Sequence, residues 1–148
     1  MTEGSARNPV VIGLFSEILM IDQLARTRLG RALPKGMELS HFMALNHLDG
    51  PGGEKTPARL ADIFHLTRGA MTNTLQKLEA AGYVHIRPDS EDARSKRVGL
   101  SEAGREARDA AVRALDPVLE DMVRDVDTRL LREILPLLRE LRLSLDLG

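Results

Sequence analysis

The chain has 148 residues, 43% of them hydrophobic and 29% charged, with a formal net charge of −1. That is enough apolar material for one domain with its own core. No cysteine is present, which excludes disulfides, a thiol redox switch and cysteine metal sites, and the near-zero charge excludes a molecule that binds any polyanion.

The first residues, MTEGSARNP, are polar and read as a frayed terminus. They carry no basic region followed by an apolar stretch, which argues against a signal peptide. Asn8-Pro9 is expected to start the first helix, in which Val11, Leu14, Phe15, Ile18 and Leu19 form a broad apolar stripe. That stripe exceeds what one small neighbour would cover. The longest apolar window, Val10 to Leu24, is interrupted by Ser16, Glu17, Asp22 and Gln23. No bilayer-spanning segment, no membrane partner and a cytoplasmic location are therefore expected. Leu33-Pro34-Lys35-Gly36 ends the helix. A second helix is expected from about Ser40 to His47, with Phe42, Leu45 and Leu48 inward. Asp49-Gly50-Pro51-Gly52-Gly53 is a loop by composition. It lacks the spacing and the leading strand of a phosphate-binding loop.

The stretch from Leu60 to Leu100 carries the chemistry. Leu60, Ile63 and Phe64 recur at helical spacing behind Thr56-Pro57, a hydroxyl N-cap followed by proline where no N–H is needed. His65-Leu66-Thr67 has room only for a turn, and Thr67 caps the next helix. On that helix Met71, Leu75 and Leu78 share one face. Arg68, Thr72, Asn73 and Gln76 share another, made of small or hydrogen-bonding residues that suit base edges in a major groove. Gly82 stops the helix as a left-handed cap. The period then becomes two: Val84 and Ile86 point one way, Tyr83, His85 and Arg87 the other. Beyond the turn at Pro88-Asp89-Ser90, Val98 and Leu100 alternate with Arg97 and Gly99, which completes a hairpin with one buried face. Helix, turn, helix and hairpin make a winged helix-turn-helix; the alternative is a solvated hairpin capping a small helical core. From Lys55 to Arg97 eight Lys/Arg stand against five acids, a local excess of +3 that leaves −4 for the rest. A basic lobe on an acidic frame fits a DNA reader with a separate assembly surface. Lys77, Arg87 and Lys96 join the candidate DNA-binding residues on that ground.

After Leu100 the chain reads as helical. Ser101 is an N-cap, and Glu102 suits the first turn electrostatically. Pro117 is expected to kink or interrupt the helix that follows. Asp127 or Thr128 caps a last helix crowded with leucines from Leu130 to Leu147, with Pro136 a second candidate kink. So many leucines exceed one monomer core, and an exposed apolar face of that size marks a protein interface. A leucine-rich core helix is the alternative.

The run from Leu60 to Gly104 resembles the MarR family of bacterial transcription regulators. The matching residues are Leu60-Ala61, Thr72, Leu78-Glu79, Gly82, Asp92-x-Arg94 and Leu100-Ser101-x-x-Gly104. The Asp-x-Arg wing followed by Leu-Ser-x-x-Gly is the more specific part. The resemblance implies a wing arginine, here Arg94, that enters the minor groove, and an aspartate, here Asp92, that steadies the wing. It also implies a homodimer entwined through the terminal helices, and a small-molecule effector bound between those helices and the DNA lobe. Phe15, Ile18, Leu19, His41, Phe42 and Leu45 are candidates to line that pocket, although residues of this kind also build cores. Three positions depart from the family pattern. His65 stands where the turn often has glycine, Asn73 where the recognition helix often has arginine, and Ile86 where the strand often has arginine. Histidine tolerates a left-handed backbone better than most residues. Asn73 implies another base preference or a lost phosphate contact.

Nothing points to catalysis. The four histidines, His41, His47, His65 and His85, come without cysteine or an HExxH helix, so no metal and no cofactor are expected. No GxSxG or dinucleotide fingerprint occurs. Three Phe, one Tyr and no Trp supply little stacking for single strands. The expected fold is mainly α with a small β-hairpin. Residues 1–36 form an N-terminal dimerisation helix, 37–100 the DNA-binding lobe and 101–148 C-terminal dimerisation helices. The expected function is a ligand-responsive repressor acting as a homodimer on double-stranded DNA. A helical protein–protein adaptor with a degenerate wing is the alternative.

Overall fold

The computed structural model describes residues 3–92 and 94–146, and for residues 3–6 the backbone alone. Six helices and one hairpin follow in chain order: α1 (Glu3–Ala32), α2 (Leu39–Leu48), α3 (Pro57–Ile63), α4 (Arg68–Ala80), β1 (Val84–Pro88), β2 (Lys96–Leu100), α5 (Glu102–Met122) and α6 (Thr128–Asp146). This is the winged helix-turn-helix architecture expected, flanked by long terminal helices.

Two apolar clusters divide the chain. The larger joins Ala44, Leu45 and Leu48 of α2, Leu60 and Ala61 of α3, Met71, Leu75 and Leu78 of α4, and Val84 and Val98 of the hairpin. Each of these residues falls on the inward face of its element, so helical spacing on α4 and alternation on the strands converge on one core. The smaller cluster joins Leu33 to Ala111 and Leu115 of α5, with Leu29, Leu39 and Phe42 packed against it. Because α2 feeds both clusters, it is the plate that joins lobe to arm. Polar struts reinforce the joint: Arg105 Nε donates to Asp49 Oδ1 at 3.2 Å and Arg108 Nε to Asn46 Oδ1 at 3.1 Å. Arg28 Nη2 donates to Asp121 Oδ2 at 2.7 Å, tying α1 to α5.

Four expectations are corrected. First, α1 begins at Glu3 rather than at Asn8-Pro9. It runs through Gly4 and Ser5, which propensity disfavours, and across Pro9, whose ring leaves the Ser5 carbonyl without its usual N–H. Second, α5 is not interrupted at Pro117, nor α6 at Pro136; each proline removes a single ladder bond inside a helix of five or more turns. Third, Tyr83 precedes the strand and packs half-buried against the core instead of sharing the outer face of His85 and Arg87. Fourth, Arg7–Ala32 is long and apolar enough to cross a membrane by length and composition, with a mean hydropathy of 1.3. Two acids in a run of Val, Ile, Leu and Met lower that mean too little to break the stretch.

None of the hydropathy window in α1 is buried in this chain. Val10, Ile12 and Leu19 are about two-thirds exposed, as are Leu137 and Leu145 on α6, where no residue is buried. Both terminal helices thus carry apolar surface that the monomer leaves uncovered. Asp127 caps α6, its Oδ1 accepting the Arg129 N–H at 2.9 Å. Leu147 lies outside the described residues.

Candidate nucleic-acid interface

The exposed face of α4 is held by two caps and a strained turn. Thr56 Oγ1 accepts the Arg59 N–H at 3.1 Å to start α3, and Thr67 Oγ1 accepts the Ala70 N–H at 3.1 Å to start α4. Between them His65 takes φ 53°, the left-handed region, so that Leu66 N–H reaches the Ala61 carbonyl at 2.9 Å. A non-glycine residue there is uncommon, and histidine is among those that tolerate it. His65 Nε2 also stands 3.0 Å from Asp146 Oδ1, which links the turn to the end of α6. Gly82, at φ 79°, closes α4, and Tyr83 N–H returns to the Leu78 carbonyl at 2.9 Å.

From this frame Arg68, Thr72, Asn73, Gln76 and Lys77 all emerge exposed, while Met71, Leu75 and Leu78 anchor the opposite face. The hairpin pairs Val84 with Leu100 and Ile86 with Val98, which leaves residues 89–92 and 94–95 between the two strands. Asp92 Oδ1 accepts the Arg94 N–H at 3.0 Å, and the Asp92 carbonyl accepts the Ser95 N–H at 3.0 Å. The aspartate therefore fixes the backbone that carries Arg94. Arg94 and Lys96 are exposed. Thr72 and Gln76 share a groove of about 450 Å³ with Arg87 and Lys96, so α4 and the wing form the two walls of one surface. Arg68, Asn73 and Lys77 lie on α4 outside that groove.

Some residues of this surface carry no cue in the sequence. Glu54 reaches from the α2–α3 loop to bond Arg87, with His85 beside it. Lys55 pairs with Val98 through a single antiparallel bridge beside the hairpin. Asp89 holds Arg97 at 3.5 Å. Each contact joins distant parts of the chain, which periodicity does not report.

The six candidate pocket residues do not converge in this chain. Leu45 is fully buried in the main core. His41 closes a capping box, its Nδ1 accepting the Glu38 N–H at 3.1 Å. Phe42 alone of the six lines the cavity of about 350 Å³ between α1, α2 and α5, together with Arg26, Leu29, Leu115 and others. Phe15 and Ile18 are half-buried and Leu19 is exposed further along α1.

The MarR family model matches residues 35–95, from the α1–α2 turn to the wing tip. No curated protein matches the chain in sequence. Among solved structures, the chain is similar to the transcriptional regulator BldR from Sulfolobus solfataricus, at 24% identity and a TM-score of 0.76, over 95% of this chain and 99% of that one. It is similar to a MarR transcriptional regulator from Methanosarcina mazei at 25% identity and a TM-score of 0.78, covering 91% and 98% of the two chains. It is also similar to a mutant MarR from E. coli complexed with operator DNA, at 21% identity and a TM-score of 0.78, covering 88% and 94%. The MarR family model thus covers the helix-turn-helix and wing, and the fold of these winged helix-turn-helix regulators extends along nearly the whole chain.

Proposed function

We propose that the protein is a cytoplasmic, sequence-specific regulator that binds double-stranded DNA as a homodimer and represses transcription until a small ligand releases it. The observation that carries this reading is the surface of α4 beside the wing. It presents exposed Arg68, Thr72, Asn73, Gln76 and Lys77 on a capped, core-anchored helix, next to Arg94 and Lys96 on a hairpin. Amides suit adenine edges in the major groove, and an exposed arginine suits the minor groove and the phosphates. A helical adaptor would present an apolar face there, and α4 does not. The E. coli protein of the same fold is complexed with operator DNA, which supports the same use of this surface.

In this reading residues 37–100 form the DNA lobe, and residues 1–36 and 101–148 form the assembly arms. The uncovered apolar faces of α1 and α6 support a two-fold dimer. Two-fold symmetry sets the recognition helices roughly 34–36 Å apart and calls for a near-palindromic operator. The cavity between α1, α2 and α5, with Phe42 in its wall, suits an apolar effector, which shifts lobe spacing only by its differential affinity for the two spacings.

The test is binding of variants to a panel of operator mutants at several salt concentrations, with the operator sought upstream of the protein's own gene. Asn73→Ala or Gln76→Ala relaxes preference at particular base pairs, by about 1–3 kcal/mol per lost bidentate contact. Arg94→Ala weakens all sequences similarly and makes the salt dependence shallower by about one charge per wing. Arg94→Ala that altered major-groove preference and left the salt dependence untouched would refute this division of labour.

A further inference from the structure

Glu54 lies outside both recognition helix and wing, yet its carboxylate is the shared partner of two wing side chains. Its Oε1 accepts a short bond from the Arg87 guanidinium and stands 3.4 Å from His85 Nε2. His85 and Arg87 are two residues apart on β1 and so share a face. The backbone repeats the attachment: Lys55 N–H donates to the Val98 carbonyl at 3.1 Å, and Val98 N–H to the Lys55 carbonyl at 2.8 Å. Gly99 makes room for it. A Cβ there would collide with His85 Nε2 and come within 3.0 Å of Glu54 Cγ. Glycine weakens a strand unless something approaches its backbone closely, and here the His85 ring does. The bond from Arg87 is also the main reason the Glu54 carboxyl is held below its ordinary pKa.

The ladder adds a second reason for the clasp. Arg87 stands directly opposite Arg97 in the antiparallel register. Like charges in that position destabilise a sheet. Each of the two is tied to its own carboxylate, Arg87 to Glu54 and Arg97 to Asp89. Lys55 Nζ is turned to the Gly53 carbonyl at 3.3 Å and does not compete for Glu54.

We propose that Glu54 withholds Arg87 from DNA, making Arg87 a positioning residue of the wing and leaving Arg94 and Lys96 to supply its positive charge. This inference rests on the DNA-binding reading above and removes Arg87 from its set of candidate contacts. A phosphate approaching Arg87 meets a nearly neutral pair. Moving Arg87 onto the phosphate would leave Glu54 facing a polyanion with only His85 beside it. The exchange therefore releases no net counterion, and counterion release is what the salt dependence of binding counts.

The experiment measures the affinity of the full chain for a mixed-sequence duplex between about 50 and 200 mM salt, because the electrostatic contribution is independent of sequence. Wild type, Arg87→Ala, Glu54→Gln and the double variant are compared, with thermal melts to confirm folding. Arg87→Ala is expected to keep the wild-type salt slope. Glu54→Gln, which frees Arg87, is expected to steepen the slope by about 0.9 per subunit, an extra loss of about 3.5-fold per subunit over that salt range. The double variant returns to the wild-type slope. A shallower slope for Arg87→Ala, or an unchanged slope for folded Glu54→Gln, overturns the proposal while leaving the DNA-binding reading intact. Wild type that binds no duplex overturns that reading and the proposal with it. If Glu54→Gln does not fold, the slope of Arg87→Ala against wild type decides alone.

Discussion

Gly104→Ala is the most diagnostic single change where the lobe meets α5. Gly104 is the third residue of α5, and helix propensity alone favours alanine there by about 1 kcal/mol. The structure predicts the opposite sign. A Cβ on Gly104 would collide with the Tyr83 carbonyl oxygen and lie 2.8 Å from both Tyr83 C and Leu100 Cδ1. The obstruction is backbone, so no rotamer change relieves it. That backbone is pinned as well: Ser101 N–H donates to the Tyr83 carbonyl at 3.0 Å, and Ser101 Oγ donates to the Gly82 carbonyl at 2.6 Å. Overpacking costs about 1–3 kcal/mol, occasionally more, and a loosened Ser101–Tyr83 bond adds about 1 kcal/mol. Set against the propensity gain, the net destabilisation is about 1–3 kcal/mol. Urea unfolding at fixed protomer concentration reads it as a lower midpoint with an unchanged slope. Gly69→Ala is the control, since a Cβ there meets nothing within 4 Å. It should leave stability unchanged or raise it by up to about 1 kcal/mol. A Gly104→Ala protein as stable as wild type would show that the junction between Tyr83 and α5 does not need glycine, and the argument would fail.

Acid should loosen the lobe through His47. Its Nε2 is buried without a partner, its ring lies edge-on to Phe64 at 5.5 Å, and burial, then Lys55 and Arg59, lower its pKa from 6.5. The unfolded chain therefore takes up the proton first, and stability present above pH 6.5 is lost as the pH falls below it. Urea midpoints between about pH 7.5 and 5.5 should fall for wild type and fall less for His47→Leu; equal falls would exonerate His47. The assembly arm is tested by removing residues 127–148, which takes away α6 and uncovers its partners. Sedimentation should show a dimer for the full chain and aggregation or unfolding for the truncation, and a monodisperse monomeric truncation that still binds DNA would refute the dimer.

What was legible in the sequence is what repeats over short distances. Thr56-Pro57, Thr67 and Ser101 each place a hydroxyl three residues before the N–H it caps, and all three caps form. Met71, Leu75 and Leu78 mark the buried face of α4 by spacing alone, and Val84, Ile86, Val98 and Leu100 mark the inner face of the hairpin by alternation. The helix starts were harder. Glu38 caps α2 through a box with His41 in place of the usual pairing of a hydroxyl with a Glu or Gln side chain. Pro9 sits inside α1 rather than in its first turn. Pro117 and Pro136 likewise sit inside continuous helices: a proline costs one hydrogen bond, and a long helix with a large apolar face tolerates that loss.

The candidate site divides along the same line. The face of α4 and the Asp92–Arg94 turn are local, with the aspartate two residues from the N–H it holds, so residue order announces them. The clasp is not local. Glu54 and Arg87 are 33 residues apart, and Asp49 and Arg105 are 56 apart. A glutamate before a lysine in a loop has the composition of any solvated turn. Only the fold shows that Lys55 pairs with Val98 and thereby delivers the Glu54 side chain to the outer face of β1. One sequence signal did bear on it: Gly99 between Val98 and Leu100, inside the strand. A glycine in that place asks what lies against its backbone, and the answer is the His85 ring with Glu54 behind it. Net charge misleads at the same spot. The excess of +3 counted from Lys55 leaves out Glu54, the carboxylate that neutralises Arg87, whereas the pair of Arg97 and Asp89 is already balanced within it. The exposed cations Arg68 and Lys77 on α4 and Arg94 and Lys96 on the wing carry the footprint, which is more sharply placed than composition implies.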